Sequence, residues 1–463
     1  MPPSESPSIG QARSALAAGE VAQALNLLEQ AEREHPLAAD VQRLLCTAYG
    51  AANEPVKAAA SALAAQALEQ GSALQLYNLA TGYMQHGQSE LAKKWYRTTL
   101  LLDPALSIAH QNLAALLFES GEFSQARVHR EQAYQLQWIF VERTPAAAAT
   151  VLLPSASDVG NVPTRYLLPS EEYSTIRALV EYAREPELSC LPEHDLVFNA
   201  IGDPDCAAAG HPSLEQVLAA SNRPVLNTPG AVRATRRDRL GALLNGLDGV
   251  IVPRVDRIEV QTGKWHPIAD RLRDRGAQFP LILRRAKSHG GQGACLVDTP
   301  QSALSWARAG DAENQTEVVY ATAFWENRDA RHFYRKYRVI YVDGQAFPYH
   351  LAISRNWLVH YFSAEMGEAA WKLEEEQRFL ADPQTALGNP SWETVGAIGR
   401  RLGLDYAGLD FTILDTGAIL VFEANATMLV HPEPDDGPFA YKNVAIRNIC
   451  SAFKRMLSER MRS

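Results

Sequence analysis

The chain has 463 residues, of which 46% are hydrophobic and 21% are charged, a composition typical of a folded globular protein but too long for a single hydrophobic core. A formal net charge of -9 argues against a nucleic-acid partner, and five scattered cysteines without a C-x-x-C pair argue against a zinc site or a disulfide framework. No apolar run is long enough to span a bilayer, and the first residues, MPPSESPSIGQAR, lack the apolar segment of a signal peptide. We therefore expect two to four domains, a cytoplasmic location and no membrane partner.

The first third of the chain carries a repeat with a step of 34 residues. Gly19, Gly87 and Gly121 follow this step, and Asn53 occupies the remaining position. Small residues recur at two further offsets: Ala24, Ala58, Ala92 and Ala126, and then Ala31, Ala65, Thr99 and Ala133. Small side chains let two helices approach closely, and Gly or Asn suits a turn that needs positive φ.

This pattern resembles the tetratricopeptide repeat. It predicts an α-solenoid of four helical hairpins over residues 1–140, starting near Glu5, Ala39, Ala73 and Ser107. An unrelated alanine-rich helical bundle is the structural alternative. A solenoid presents a groove that suits a peptide or protein partner, and homodimer formation or bracing of the next domain are the alternative roles.

The next segment, 147–230, has the pattern of an open α/β sheet. The run VLLP predicts a short strand, a helix is expected from about Pro169, and HDLVFNAIGDPD predicts another strand that ends in a polar loop. Ligands of such sheets bind at the carboxyl ends of strands. Asn161, Asn199 and Asp203 are therefore candidate substrate contacts, and each could equally be a turn residue.

A glycine-rich loop follows, in the sequence FPLILRRAKSHGGQGACLV. It joins an apolar strand, a basic cluster and a returning strand. Glycine lets backbone N–H groups approach phosphate oxygens, and the cations neutralise phosphate charge. No helix opens behind the loop, so it is neither a Walker loop nor a dinucleotide fingerprint. A flexible basic turn is the alternative. The candidate phosphate ligands are Arg284, Lys287, Gly290, Gly291 and Gly293.

The last informative stretch is LDFTILDTGAILVFEANATM, residues 409–428, which predicts a hairpin with a turn at Asp-Thr-Gly. Asp410 opens the first strand, and Glu423 and Asn425 share a face of the second. Such a set of oxygen donors suits Mg²⁺ beside a polyphosphate better than zinc. Solvated acids on a surface hairpin are the alternative.

Together these blocks resemble the ATP-grasp ligases, in the glutathione synthetase-like branch of carboxylate-amine ligases. The resemblance rests on four blocks in order: the N-T-P-G turn and helix, the glycine hairpin, the strand EVVYATAF and the D … E-A-N hairpin. It implies an α/β pre-domain over 147–230, a nucleotide-binding subdomain over 231–320 and a metal and substrate subdomain over 321–463. The implied cofactors are ATP and one or two Mg²⁺, with Mn²⁺ as an alternative.

The resemblance also implies roles for particular residues. The main chain of Val319, Tyr320, Ala321, Thr322 and Ala323 would contact adenine, and Asp410, Glu423 and Asn425 would hold the metal. Arg338 and Lys287 would act in catalysis, whereas Asn199, Arg338 and Arg355 would contact the substrate.

Several positions depart from the family pattern. Arg284 stands where a lysine is usual, the helix after N-T-P-G offers Arg237 and Arg239 in place of a lysine, and Lys336 stands where an acid is common. Ile353 stands where that branch has an arginine, with Arg355 nearby.

The expected function is amide or peptide bond formation through an acyl phosphate, on small-molecule carboxylate and amine substrates or on a peptide or protein in a tailoring role. A degenerate nucleotide-binding scaffold and an ATP-grasp phosphotransferase are the alternatives.

Overall fold

The computed structural model describes residues 7–208, 212–261, 267–286, 291, 293–308 and 316–462. The chain divides into two compact units, Met1–Trp138 and Ile139–Ser463. Among the described residues, no helix combines the length and the apolar character needed to cross a membrane.

The first unit is built from consecutive helices that pack against their neighbours in sequence. The helices are α1 (Pro7–Ala17), α2 (Val21–Glu34), α3 (Ala39–Ala51), α4 (Pro55–Glu69), α5 (Ala73–Gln85), α6 (Ser89–Leu102), α7 (Ser107–Glu119) and α8 (Phe123–Leu136). The turn residue inside each pair has positive φ, as its type predicts: 79° at Gly19, 61° at Asn53, 71° at Gly87 and 80° at Gly121.

The predicted small positions pack where helices meet. Ala31, Ala65, Thr99 and Ala133 are all buried. Trp95 and Tyr96 belong to the core of this unit, and Tyr77 and Tyr83 pack against it half-buried. The helices and their turns are therefore as predicted, while the assignment to the tetratricopeptide family stays a prediction.

The described residues of the second unit form three sheets. The strands are β1 (Ile139–Glu142), β2 (Ala149–Ser155), β3 (Tyr173–Leu179), β4 (Leu196–Phe198), β5 (Val225–Leu226), β6 (Val250–Ile251), β7 (Val255–Gln261), β8 (Leu281–Arg285), β9 (Cys295–Val297), β10 (Thr316–Ala323), β11 (Tyr334–Val342), β12 (Gln345–Ser354), β13 (Tyr406–Ile413) and β14 (Ile419–Asn425). The sheet orders are β1-β3-β2-β4-β5, β7-β10-β8-β9 and β12-β11-β13-β14-β6.

The helices of this unit cover the sheets and fill the crossovers. They are α9 (Glu185–Leu188), α10 (Pro204–Ala208), α11 (Pro212–Ala219), α12 (Pro229–Ala234), α13 (Arg237–Leu243), α14 (Pro267–Asp274), α15 (Pro300–Arg308), α16 (Ala370–Ala381), α17 (Pro383–Leu387), α18 (Asn389–Leu402) and α19 (Asn443–Arg460). Helices α16, α18 and α19 pack on the third sheet.

The first sheet corrects one prediction. The helix expected from about Pro169 is wrong, because Tyr173–Leu179 forms strand β3, paired in parallel with β2 along its whole length. The segment YSTIRAL is rich in β-branched and aromatic residues, which favour a strand. Ile176 and Ala178 are fully buried in this strand. Burial in the sheet thus outweighs the helical preference of the acidic residues that precede it.

The second sheet presents two different faces. Leu281 and Leu283 of β8 and Val319 and Ala321 of β10 join a core with α14 and α15. The alternate side chains, including Ile282 and Arg284 of β8, face the cavity described below. The period of two along these strands therefore separates core from site.

Candidate functional site

The candidate site is a row of four residues across the third sheet. His350 of β12 pairs with Arg338 of β11, Arg338 pairs with Asp410 of β13, and Asp410 pairs with Glu423 of β14. Directly opposed residues on neighbouring strands share one face of a sheet. Adjacent strands lie about 4.8 Å apart, so the row spans about 14 Å from His350 to Glu423.

Two register shifts build this row. The pairing of β13 with β14 shifts by one residue between Asp410 and Phe411, and Phe422 is the extra residue. The pairing of β11 with β12 shifts between Arg338 and Val339, with Tyr349 as the extra residue. Without these bulges, strict alternation would place Glu423 and His350 on the opposite face from Asp410 and Arg338. Each outer member of the row therefore depends on a bulge.

Asp410 is held as a carboxylate by two cations of β11. Its side chain is 1% exposed. Arg338 donates from Nε to Oδ1 at 2.5 Å and from Nη2 to Oδ2 at 2.7 Å, and the Nζ of Lys336 lies 3.1 Å from Oδ2. Burial alone would raise the pKa of Asp410, but the charges of Arg338 and Lys336 outweigh it and hold that pKa below its usual range.

Glu423 pairs with a second set of cations, from outside its own sheet. Arg237, at the start of α13, donates from Nη2 to Oε2 of Glu423, and the Nη1 of Arg284 in β8 lies 3.7 Å from the same oxygen. Burial opposes ionisation of Glu423, but Arg237 and Arg284 prevail and lower its pKa to about 2. Two carboxylates thus lie among four cations contributed by α13, β8 and β11.

These residues line a cavity of about 570 Å³. Its walls come from residues between Asp203 and Lys442, so every described lining residue belongs to the second unit. The lining contains the charged residues of the row. It also contains large apolar side chains, including Phe324, Trp325, Trp357 and Phe422. The cavity therefore offers a place for charged groups beside a place for a flat apolar group.

The side-chain oxygen atoms of the row and of Asn425 suit a hard divalent cation. Asp410 and Glu423 face each other, and Asn425 lines the same cavity with its Oδ1 accepting from Thr427 N at 2.9 Å. The described residues contain no cluster of three or more His, Cys, Asp or Glu side chains arranged for a metal. A metal ion at this position would therefore also need oxygen atoms from a bound small molecule. Mg²⁺ bound together with phosphate fits this requirement.

The comparisons with known proteins give structural matches only. No family model matches the chain, and no curated protein does.

Similar solved structures are ATP-grasp ligases. A RimK domain ATP-grasp protein from Sphaerobacter thermophilus matches at 16% identity and TM-score 0.40, over 68% of this chain and 100% of that one. VanG D-Ala:D-Ser ligase from Enterococcus faecalis matches at 12% identity and TM-score 0.39, over 66% and 99%. The ATP-grasp ligase PsnB, complexed with minimal precursor, Mg and ADP, matches at 14% and 0.36, over 67% and 98%.

The predicted hinge strand forms one wall of the cavity. Strand β10 lies between β7 and β8, and its main chain pairs within the sheet. Val319 and Ala321 belong to the core, whereas Tyr320, Thr322 and Ala323 line the cavity. The chain leaves the sheet at Phe324 and Trp325, and both also line the cavity. The main-chain adenine contacts expected from 319–323 stay a prediction.

Two predicted substrate contacts lie away from the cavity. Asn199 is fully buried, donates to the carbonyl oxygen of Asn227 at 2.9 Å and accepts from Ile201 N at 3.1 Å, so it braces two loops. The guanidinium of Arg355 stacks 4.6 Å from the ring centroid of Phe333 and is absent from the cavity lining. The structure does not bring either residue to the cavity, and their substrate contacts stay a prediction.

The glycine loop is described only in part. Gly291 lines the cavity, and a Cβ at this position would lie 3.2 Å from Cδ1 of Leu358. Gly293 has a φ of 70° and accepts, through its carbonyl oxygen, the indole N–H of Trp306 at 3.0 Å. Lys287 and Gly290 lie outside the described residues.

Sequence reasoning missed some of the site. Arg237 and Lys336 were noted as departures from a family pattern, but their contacts with the carboxylates of the row were not predicted. The side chain of Tyr320 donates to Oδ1 of Asp205 at 2.6 Å and forms part of the cavity wall. No local pattern reveals such contacts, because their partners lie 186, 74 and 115 residues apart in the chain.

Proposed function

We propose that the second unit binds MgATP and uses it to join a carboxylate to an amine through an acyl phosphate. The observation that carries this proposal is the facing pair Asp410 and Glu423. Each contacts two cations, and all six residues line one cavity. Four cations against two carboxylates leave an excess of two positive charges among these six residues. That excess matches MgATP, whose net charge is about -2, by the charge complementarity that governs ligand binding.

The residues in and beside the row would have different roles in the reaction. Arg237 and Arg284, at the Glu423 end, would bind phosphate oxygens, and Asp410, Glu423 and Asn425 would then hold Mg²⁺. The ion would neutralise charge on the transferred phosphate. Arg338 lies between Asp410 and His350 and would stabilise the charge that develops as the substrate carboxylate attacks the γ-phosphate. Apolar side chains of the cavity lining, such as Trp325 and Phe422, would receive the adenine.

The second half of the reaction needs a site that excludes water, because an acyl phosphate hydrolyses readily. The incoming amine would attack the acyl carbon, forming the C–N bond as the C–O bond breaks and inorganic phosphate leaves. A phosphotransferase would stop before this step. Release of ADP with a stable phosphorylated product and no amide would therefore replace the ligase proposal by that alternative.

The test is calorimetric binding of ATP to the full chain, with and without Mg²⁺, in the wild type and in Glu423→Gln. We expect Mg²⁺ to tighten ATP binding to the wild type by at least tenfold. In Glu423→Gln this enhancement should be lost, whereas binding of metal-free ATP should be unchanged or tighter, because a negative charge beside the phosphates has been removed.

The matched control is Glu172→Gln, which alters an exposed carboxylate paired with Lys454 outside the cavity. Its ATP binding should equal that of the wild type under both conditions. Equal Mg²⁺ enhancement in Glu423→Gln and wild type would remove Glu423 from the metal site. Absence of ATP binding by the folded wild type would contradict the proposed function.

A further inference from the structure

Lys336 contributes a positive charge beyond the one that neutralises the carboxylate of Asp410. The two oxygens of Asp410 already accept a bidentate pair from Arg338, so the carboxylate is neutralised before Lys336 is counted. Among the described residues, Asp410 is the one anionic partner within salt-bridge distance of Lys336. The side chain is 15% exposed and lines the cavity. An ammonium has three donors, so this one has capacity for a further acceptor.

His350, on the neighbouring strand β12, contributes a buried ring nitrogen that has no hydrogen-bond partner in the part of the chain that the structure describes. The residue is 5% exposed, lines the cavity and stacks on Tyr361 at 4.7 Å between ring centroids. Its Nε2 has no hydrogen-bond partner among the described residues. A buried polar atom left unpaired destabilises the free protein, and a bound ligand atom that pairs with it can recover this cost.

The register places these two residues together. Lys336 pairs with Ala352 and Arg338 pairs with His350, so Lys336 and His350 are diagonal neighbours on one face of the sheet. His360 lines the same cavity, and burial together with the charges of Lys336 and Arg338 lowers its pKa. These three residues, Lys336, His350 and His360, form what we call the substrate corner.

We propose that the substrate corner is an oxyanion site, which seats the carboxylate of the substrate next to the γ-phosphate. An oxygen anion would accept from the Lys336 ammonium and from the N–H of His350 in its Nε2-protonated tautomer. This proposal rests on the proposed function only for the identity of the anion, a substrate carboxylate, since the excess charge and the unpaired nitrogen are properties of the chain itself.

The charge around His350 favours an anion over a cationic amine. The charged and titratable groups near it include Arg338 and Lys336 on β11, Tyr349 on β12, Lys442 just before α19, and His360 and Tyr361 on the 355–364 segment. Burial and these cations hold the pKa of His350 well below its usual value. Lys442 is itself paired with Glu433 at 2.5 Å, which leaves Lys336 as the charge with capacity for a ligand.

The γ-phosphate of the nucleotide is also an oxyanion, so it is the alternative occupant of the substrate corner. The row separates the two sources, because Arg237 and Arg284 contact Glu423 at one end while His350 lies about 14 Å away at the other, at three strand spacings. We therefore assign the substrate corner to the substrate carboxylate and place the γ-phosphate at the centre of the row, beside Arg338 and Asp410.

The probe is inorganic phosphate, whose binding to the full chain is followed by ³¹P relaxation. It is titrated into the free protein, into protein saturated with MgADP, and into protein saturated with the Mg²⁺ complex of a non-hydrolysable ATP analogue. We expect saturable binding in all three states. Lys336→Met should weaken it at least tenfold and His350→Phe about threefold, because the phenyl ring keeps the stacking but has no nitrogen.

The controls are Lys336→Arg, which should retain phosphate binding, and Lys454→Met, a lysine of the exposed pair with Glu172, which should bind as the wild type does. Equal affinity in wild type and Lys336→Met, or no phosphate binding, would overturn the proposal. Displacement of phosphate by the ATP analogue but not by ADP would assign the corner to the γ-phosphate and overturn it as well. Failure of MgADP to bind would contradict the proposed function alone, since phosphate binding to the free protein still tests the corner.

Discussion

At the scale of single residues, the site combines charges that would be costly to bury separately. Glu423 is 21% exposed and faces Arg237 and Arg284, and Asp410 is almost completely buried against Arg338 and Lys336. A buried ion pair contributes little net stability, but removal of one partner leaves a charge uncompensated and is strongly destabilising. The carboxylates therefore have a structural role in the free protein and a proposed metal-binding role with nucleotide.

The pKa of Glu423 leads to a pH-dependent prediction. Its folded-state pKa, about 2, is below the ordinary glutamate value of 4.5, so ionised Glu423 stabilises the fold above about pH 4.5, and this contribution is lost as pH falls toward 2. We expect Glu423→Gln to lower the free energy of unfolding by roughly 2–3 kcal/mol at pH 7. The difference from wild type should shrink steadily between pH 4.5 and 3, measured by thermal unfolding at each pH.

Glu172→Gln provides the comparison, because it removes the same charge from an exposed pair with Lys454. That change should cost less than about 1 kcal/mol at pH 7. A Glu423→Gln deficit that stays constant down to pH 3 would mean that the lost stability comes from packing and not from the charge of Glu423.

At the scale of elements, the hairpin of β13 and β14 shows what local sequence can and cannot predict. Its two strands and the Asp-Thr-Gly turn follow from alternation and turn chemistry, and Gly417 has the expected positive φ of 81°. The bulge at Phe422 does not follow from the local sequence, because nothing in FEAN distinguishes a regular strand from one with a shifted register. The predicted convergence of Asp410 with Glu423 nevertheless depends on that bulge.

Helix α18 supports strand β11 through a glycine, which leads to a paired prediction. A Cβ on Gly399 would lie 2.4 Å from Cδ1 of Tyr341 and 3.0 Å from the carbonyl oxygen of Gly344. Overpacking of this kind costs about 1–3 kcal/mol, so Gly399→Ala should destabilise the second unit. Because Tyr341 is on the same strand as Arg338, ATP binding should also weaken.

Gly396, one turn earlier on the same helix, is the control. The nearest atom to its Cβ position is Nη1 of Arg400 at 3.5 Å, the end of a flexible side chain. Gly396→Ala should therefore stabilise the protein by about 0.5–1 kcal/mol through helix propensity. Similar unfolding temperatures for the two alanine variants would contradict the close contact between α18 and β11.

At the scale of the whole molecule, the order of the motifs along the chain predicted the elements of the fold, whereas the types of the single residues predicted few of the contacts in the site. The 34-residue step located the helices of the first unit, and the order of the glycine loop, hinge strand and acidic hairpin located the segments that line the cavity. The cations of the site were harder to assign, because Arg237 reaches Glu423 across 186 residues. Such contacts depend on how sheets and helices pack, which local periodicity does not encode. The strand at Tyr173–Leu179 was missed for the same reason.

The division of the chain assigns the proposed chemistry to one unit. Every described residue that lines the cavity lies between Asp203 and Lys442, and every described helix of the proposed repeats lies before Trp138. We propose that the first unit holds a peptide or protein, which would be the substrate or a partner of the second. In that arrangement the first unit contributes to the choice of substrate but not to nucleotide binding.

This separation of roles can be tested with residues 139–463 expressed alone. We expect the fragment to bind MgATP with a dissociation constant within about twofold of the full chain, because no described residue of the first unit reaches the cavity. Calorimetry of both proteins measures this, with circular dichroism and thermal unfolding to establish that the fragment is folded. If the folded fragment binds MgATP at least tenfold more weakly than the full chain, the helices of the first unit contribute to the nucleotide site. If binding is equal but turnover of a peptide substrate is lost, the helices serve the substrate, as proposed.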